Sequence, residues 1–156
     1  MSTPVIEIFT DGSCHSKLCV GAWAAFIVSN DGEKTLTGTE TDTTHNRMEL
    51  LAVIKSIQHA AQQNPEARMI IYSDSQYVCH LPSRFERLKQ KNFLTNRGTE
   101  IQNVDLVNEL IFLLDKYTIE FIKVKAHQKS ETPSSKNNRY VDKLSRKVVR
   151  EQVNSK

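Results

Sequence analysis

Cysteine is scarce and odd in number: Cys14, Cys19 and Cys79 are the only three in 156 residues. Met1-Ser2-Thr3-Pro4 also lacks the basic and apolar regions of a secretory leader, so reduced thiols inside a cell are expected rather than a disulfide framework. Structural zinc is disfavoured too, because Cys14, His15 and Cys19 have no second Cys/His pair at finger-like spacing to complete a tetrahedral site. Long apolar runs are missing: the longest, Val20 to Val28, falls far short of the ~20 residues that span a bilayer. No internal repeat is visible, and only Lys129 to Asn138, rich in Ser, Lys, Asn and Pro, has a linker-like composition; it reads as a mobile loop. The excess of positive charge is small, +3, too little by itself to identify a partner. What remains is ordinary for a globular chain: 38% hydrophobic and 25% charged residues, in a length that suits one domain spanning residues 1–156 with its own core. A soluble, cytoplasmic protein with no membrane association is expected.

Four acidic residues stand out against this background. Asp11 lies in Phe9-Thr10-Asp11-Gly12-Ser13, Glu49 in Asn46-Arg47-Met48-Glu49-Leu50, Asp74 in Tyr72-Ser73-Asp74-Ser75, and Asp142 in Asn138-Arg139-Tyr140-Val141-Asp142. Singly, each has a plain explanation as a turn residue, a first-turn helix acid or an ion-pair partner of Arg139 or Arg146. Two of them, however, end short apolar β-type runs, Val5 to Thr10 and Met69 to Ser73, and Glu49 occupies the first turns of a strongly apolar helical pattern. Acids placed so can converge. A cluster of carboxylates repels itself unless protons or divalent cations neutralise it, and all-oxygen ligands suit Mg²⁺ or Mn²⁺. That chemistry points to a metal-dependent nuclease.

The periodicities predict strands over Val5 to Thr10, Gly21 to Ser29 and Glu33 to Glu40, joined by turns short enough for an antiparallel meander. A helix follows, capped by Thr43-Thr44, with Leu50, Ile54, Ile57 and Ala61 at helical spacing, ending near Asn64-Pro65. Met69 to Ser73 is then a strand parallel to one in the meander. Ser75 to Leu81 should begin a helix broken at Pro82, with Arg84 to Gln90 resuming it, before a helix over Val104 to Leu114, a strand over Ile119 to Val124 and a last helix over Tyr140 to Val149. The expected architecture is α/β: a mixed five-stranded sheet, three strands antiparallel and two parallel, with helices on both faces. Sites in such sheets form beyond the carboxyl ends of parallel strands, where Asp11 and Asp74 would lie.

Six segments in order, Phe9-Thr10-Asp11-Gly12-Ser13, Thr43 to Leu50, Ser73 to Val78, Asn103-Val104-Asp105-Leu106, Val124-Lys125-Ala126-His127 and Asn138 to Asp142, make the chain resemble a type 1 ribonuclease H from end to end. The resemblance implies a ribonuclease H-like sheet and an endoribonuclease that hydrolyses the RNA strand of an RNA–DNA hybrid duplex, leaving 5′-phosphate and 3′-hydroxyl ends. It implies two Mg²⁺ ions per site, with Mn²⁺ as a possible substitute, held by Asp11, Glu49, Asp74 and Asp142, and with Asp11 bridging them. His127 matches a histidine that moves protons or assists product release. Cys14, Asn46 and Gln76 match contacts to RNA 2′-hydroxyls, Thr44 and Asn138 match residues that grip phosphate, and Phe85 matches an aromatic packed against the DNA strand. Arg84, Arg87, Lys89, Lys91 and Arg97 match a basic protrusion. A monomer is expected, with no additional amino-terminal hybrid-binding domain ahead of the first strand.

The chain departs from the family pattern at Lys17 and His45, where Asn is frequent, at Ala126, where Gly is usual, and in the long segment after His127. None of these removes a carboxylate. A basic stripe on the last helix, Arg139, Lys143, Arg146 and Arg150, reads as solvated surface somewhat more readily than as a substrate contact. The rival from another class is a catalytically silent hybrid- or double-stranded-RNA-binding module on the same fold, which loss of any of the four acids would favour. A DNA-transferring integrase or transposase would not carry the Asn46-Arg47-Met48-Glu49 block together with the context of Asp142.

Overall fold

The alternation of apolar residues along the first strand decides which face meets which helix. In β1 (Val5–His15) Ile6 and Ile8 point into the main core, whereas Phe9 points to the other side of the sheet. The computed structural model describes residues 3–125 and 132–155. β1 pairs antiparallel with β2 (Val20–Ser29), which pairs antiparallel with β3 (Gly32–Glu40). β4 (Arg68–Ser73) lies parallel to the free edge of β1, and β5 (Ile119–Lys123) lies parallel to β4, giving the order β3-β2-β1-β4-β5.

α1 (His45–Gln63) begins where the Thr44 side chain accepts the Arg47 amide, and it presses Leu50, Val53, Ile54 and Ile57, all essentially inaccessible, onto Ile8, Met69 and Ile71. α2 (Gln76–Gln90) and α3 (Val104–Lys116) complete this core with Val78, Leu81, Leu88, Val107 and Leu110. α4 (Pro133–Asn154) covers the opposite face of β1 and β2, where Val141 meets Phe9 and Ala24. Helices therefore occupy both faces, as expected. No helix among the described residues is long and apolar enough to cross a membrane.

Three local expectations are corrected. β1 does not end at Thr10: Asp11-Gly12-Ser13 continues it to His15, because β2 offers ladder partners as far as the pair His15↔Val20. Pro82 does not split α2, which is one helix from Gln76 to Gln90, so the described residues form four helices rather than five. An internal proline costs roughly 3 kcal/mol, but Leu81, Phe85 and Leu88 all bury in the main core and hold the helix through it. The stretch expected as a loop becomes helical at Pro133, where proline fits the first turn and the Thr132 side chain accepts the Ser135 amide.

Candidate active site

The last parallel pair between β1 and β4 is Phe9↔Tyr72, and Asp11 and Asp74 each lie two residues beyond it, on neighbouring strands. Parallel strands run about 4.8 Å apart, so the two carboxylates leave the sheet side by side. The third acid arrives through a close helix-to-strand approach. A Cβ on Gly12 would lie 2.5 Å from the Glu49 amide nitrogen and 2.6 Å from the Met48 carbonyl carbon, so only glycine lets the start of α1 sit against β1 here. The Gly12 N–H then donates to Glu49 Oε1, which anchors that carboxylate beside Asp11. Oxygen atoms of Asp11, Glu49 and Asp74 all fall within 4.8 Å of one another.

α4 closes the cluster from the other side of the sheet. The Ser145 hydroxyl lies 3.3 Å from Asp11 Oδ2, within donating reach, and 2.9 Å from the Ser13 hydroxyl. Asp142, one turn earlier, adds a carboxylate next to Asp11 while its Oδ1 pairs with Arg146 Nε at 3.2 Å. Asp11 is 4% and Glu49 2% exposed. Burial above all, and then the neighbouring Glu49 charge, raise the Asp11 acid far above the ordinary carboxylate range. Glu49 is raised too, mainly by burial, against hydrogen bonds from Asp11 and the Gly12 amide that pull it down. Glu49 Oε2 is buried with no hydrogen-bond partner among the described residues. Buried, mutually repelling, under-satisfied carboxylate oxygens are the donor set that a hard, oxygen-seeking divalent cation fits.

The acids open into a cavity of about 740 Å³ between the carboxyl end of the sheet, the first turns of α1 and α2, and one side of α4. Cys14, Asn46 and Gln76 line it. Cys14 Sγ also lies 3.5 Å from the Thr43 carbonyl. Thr44 stands exposed at the start of α1 with its hydroxyl accepting the Arg47 amide at 3.2 Å. Two residues expected to touch substrate are buried. The Phe85 ring is 8% exposed inside the main core, because α2 turns that side inward, and is not presented to a DNA strand. Asn138, on α4, is 4% exposed and is not among the residues that wall the cavity. His127 lies outside the described residues. Arg84, Arg87 and Lys91 gather along a separate groove of about 290 Å³ at the end of α2.

The sequence reading missed the α4 wall. Arg146 and Arg150, expected as solvated surface, line the catalytic cavity, together with His15, His45 and Tyr77. The signal was present: both arginines fall on the helical face of Asp142, at four and eight residues beyond it.

The family described as RNase H matches residues 3–150 of the chain. A ribonuclease H of Caldanaerobacter subterraneus subsp. tengcongensis is 32% identical over 151 residues, covering 96% of this chain and 94% of its own. A ribonuclease H of Thermoanaerobacter sp. (strain X514) is 36% identical over 129 residues, covering 81% of each chain. Among solved structures, LC9-RNase H1, described as a type 1 RNase H with the type 2 active-site motif, superposes with a TM-score of 0.81 at 21% identity, over 97% of this chain and 75% of that one. The mixed sheet with its carboxylates past the parallel strands is the ribonuclease H fold. The chain belongs to the RNase H family and is a ribonuclease H enzyme, with an acidic cluster that could hold a metal ion.

Proposed function

We propose that the chain is a single ribonuclease H domain that binds RNA–DNA hybrid duplexes and cuts the RNA strand endonucleolytically, leaving 5′-phosphate and 3′-hydroxyl ends. The observation that carries this reading is the convergence of Asp11, Glu49 and Asp74, whose oxygens lie within 4.8 Å of one another at the carboxyl ends of two parallel strands. Asp11, Glu49, Asp74 and Asp142 are the residues that would hold two divalent cations, Mg²⁺ or alternatively Mn²⁺, with Asp11 shared between them. When bound, such a pair supplies an activated water and charge stabilisation at the leaving 3′ oxygen.

The chain's own groups do the rest. The Gly12 amide fixes Glu49, and the Ser145 hydroxyl steadies Asp11 from the α4 side, so that both acids are set before substrate arrives. Cys14, Asn46 and Gln76 line the cavity and are assigned contacts to RNA 2′-hydroxyls by their match to the family, the chemistry that separates RNA from DNA. Thr44 presents its exposed end of α1 to a phosphate, and His127 is assigned proton transfer or product release by its match to the family motif. Arg84, Arg87, Lys89, Lys91 and Arg97 offer sequence-independent backbone contacts.

Cleavage of end-labelled RNA–DNA, RNA–RNA and DNA–DNA duplexes of one sequence, with Mg²⁺, Mn²⁺ or chelator, tests the reading. Cutting confined to the RNA of the hybrid and abolished by chelator is expected. Equal cutting of RNA–RNA, or cutting in chelator, would overturn it.

A further inference from the structure

The cavity does not stop at the carboxylates. α4 runs alongside the outer end of β1, as the contact between the Ser145 and Ser13 hydroxyls at 2.9 Å shows, so the turn of α4 after Ser145 follows β1 past Ser13 to His15. This extension is walled by His15 on the strand and by Arg146, Val149 and Arg150 on the helix, in the same continuous cavity as Asp11 and Asp142. Its chemistry is opposite to that of the acid cluster. Arg150 is exposed and has no hydrogen bond or ion pair among the described residues, while Arg146 spends its Nε on Asp142 and keeps its terminal nitrogens. His15 accepts the Leu18 amide on Nδ1 at 3.1 Å, which leaves Nε2 as the nitrogen that can donate outward.

We propose that His15, Arg146 and Arg150 form an anion subsite that takes a backbone phosphate of the bound duplex some distance from the scissile bond. The spacing gives that distance. His15 is four residues beyond Asp11 on a strand rising about 3.3 Å per residue, and Arg150 is eight beyond Asp142 on a helix rising about 1.5 Å per residue. Both routes reach about 12–13 Å from the acids, or roughly three to four nucleotide steps at about 3.4 Å per step along a duplex. Arginine suits the task because its planar fork meets two phosphate oxygens at once. The inference rests on the cavity being the hybrid-cleaving site proposed above.

The test compares wild type with Arg150→Ala and Arg150→Lys on one hybrid, with binding measured at several salt concentrations in Ca²⁺ and cleavage measured in Mg²⁺. Arg150→Ala should raise KM several-fold and lower the slope of log affinity against log salt by about 0.9, the amount expected for one phosphate contact. Arg150→Lys should restore the slope but not the full affinity. Hybrids carrying one neutral methylphosphonate, walked along each strand, locate the phosphate: substitution three or four steps from the cut should weaken wild type more than it weakens Arg150→Ala. An unchanged slope in Arg150→Ala, or equal sensitivity of both proteins to every methylphosphonate, would overturn the subsite. If wild type fails to cut the hybrid at all, the proposed function falls instead, so the two failures are distinct.

Discussion

The Arg47 guanidinium forks onto both carboxylate oxygens of Asp105, at 3.2 and 3.0 Å, and its Nε reaches Glu40 at 2.8 Å. One side chain thereby ties the end of β3 and the start of α3 to the first turn of α1, the turn that leads into Glu49. The hydrogen bonds from Arg47 hold the Asp105 carboxyl below its usual range. A carboxyl lowered on folding contributes stability above its unfolded pKa and loses it as pH falls through the folded value. Asp105→Asn should therefore destabilise the protein at pH 7 by no more than about 1 kcal/mol, since the Asp105 side chain is 61% exposed and water screens the pair. Urea unfolding at pH 7 and at about pH 3 checks this: the gap between wild type and variant should shrink in acid, and a gap that widens contradicts it.

Asp11→Asn should separate activity from stability. Cleavage should fall below roughly a hundredth of wild type if, as proposed, Asp11 is the ligand shared by two cations. Stability in chelator should rise. Burial and the Glu49 charge raise the Asp11 acid, and an acid raised on folding costs stability as pH climbs from its unfolded value toward its folded one. At neutral pH a permanently uncharged amide escapes that cost. Thermal melts in chelator should show a gain of a few degrees, consistent with about 1 kcal/mol or more at this chain length. The gain should shrink away below about pH 4, where the unfolded acid is protonated too and folding no longer requires it to take up a proton.

Gly12→Ala should be damaging although the added group is a single methyl. Its neighbours at 2.5 and 2.6 Å are backbone atoms of α1, which cannot rotate away as a side-chain tip could. Overpacking of this kind costs about 2 to 3 kcal/mol, and a melting temperature lower by roughly 5–10 °C is expected. Calorimetry of the variant decides it. An unchanged melting temperature would mean that α1 can slide on β1, and then Glu49 is not fixed as described.

Replacing Arg87, Lys89 and Lys91 together with Ala should weaken hybrid binding and flatten its salt dependence by up to about 0.9 per lost phosphate contact. The three groups are exposed at the end of α2, away from the acids, so turnover at saturating substrate should hold nearer to wild type than affinity does. Fluorescence anisotropy across a salt series reads the slope directly. A slope equal to that of wild type would remove the protrusion from the binding surface.

The features legible in the sequence were those whose causes are local. Thr44 ahead of an apolar 3.6-residue repeat announces α1, and the short turn at Asn30-Asp31 announces the hairpin of β2 and β3. The acids could be located because each sits in a short segment matching a family motif, although in the structure Asp11 lies within β1 and Asp142 within α4. The misreadings all depend on a distant partner. Asp-Gly-Ser has the composition of a turn, yet it is held extended by β2. Pro82 has the local signature of a break, yet the helix around it is pinned by core contacts that no short window displays. Phe85 matches a substrate-facing position by alignment of motifs, and only the packing of α2 on the core reveals that its ring points inward. Arg146 and Arg150 looked like one continuous stripe with Arg139 and Lys143 until the groove between α4 and β1 singled them out.

The four acids come from β1, α1, the junction of β4 with α2, and α4, the last helix of the fold. A site assembled from such separated stretches depends on long-range contacts, which form late and slowly in folding. While the chain is being synthesised, the acids of β1, α1 and the β4–α2 junction emerge well before Asp142, Ser145 and the arginines of α4. The carboxylate of Asp142 therefore joins the other three acids only once α4 is packed against β1 and β2. In a refolding experiment, recovery of cleavage should lag behind recovery of the α1 helix, which makes catalysis a reporter of the final step of assembly.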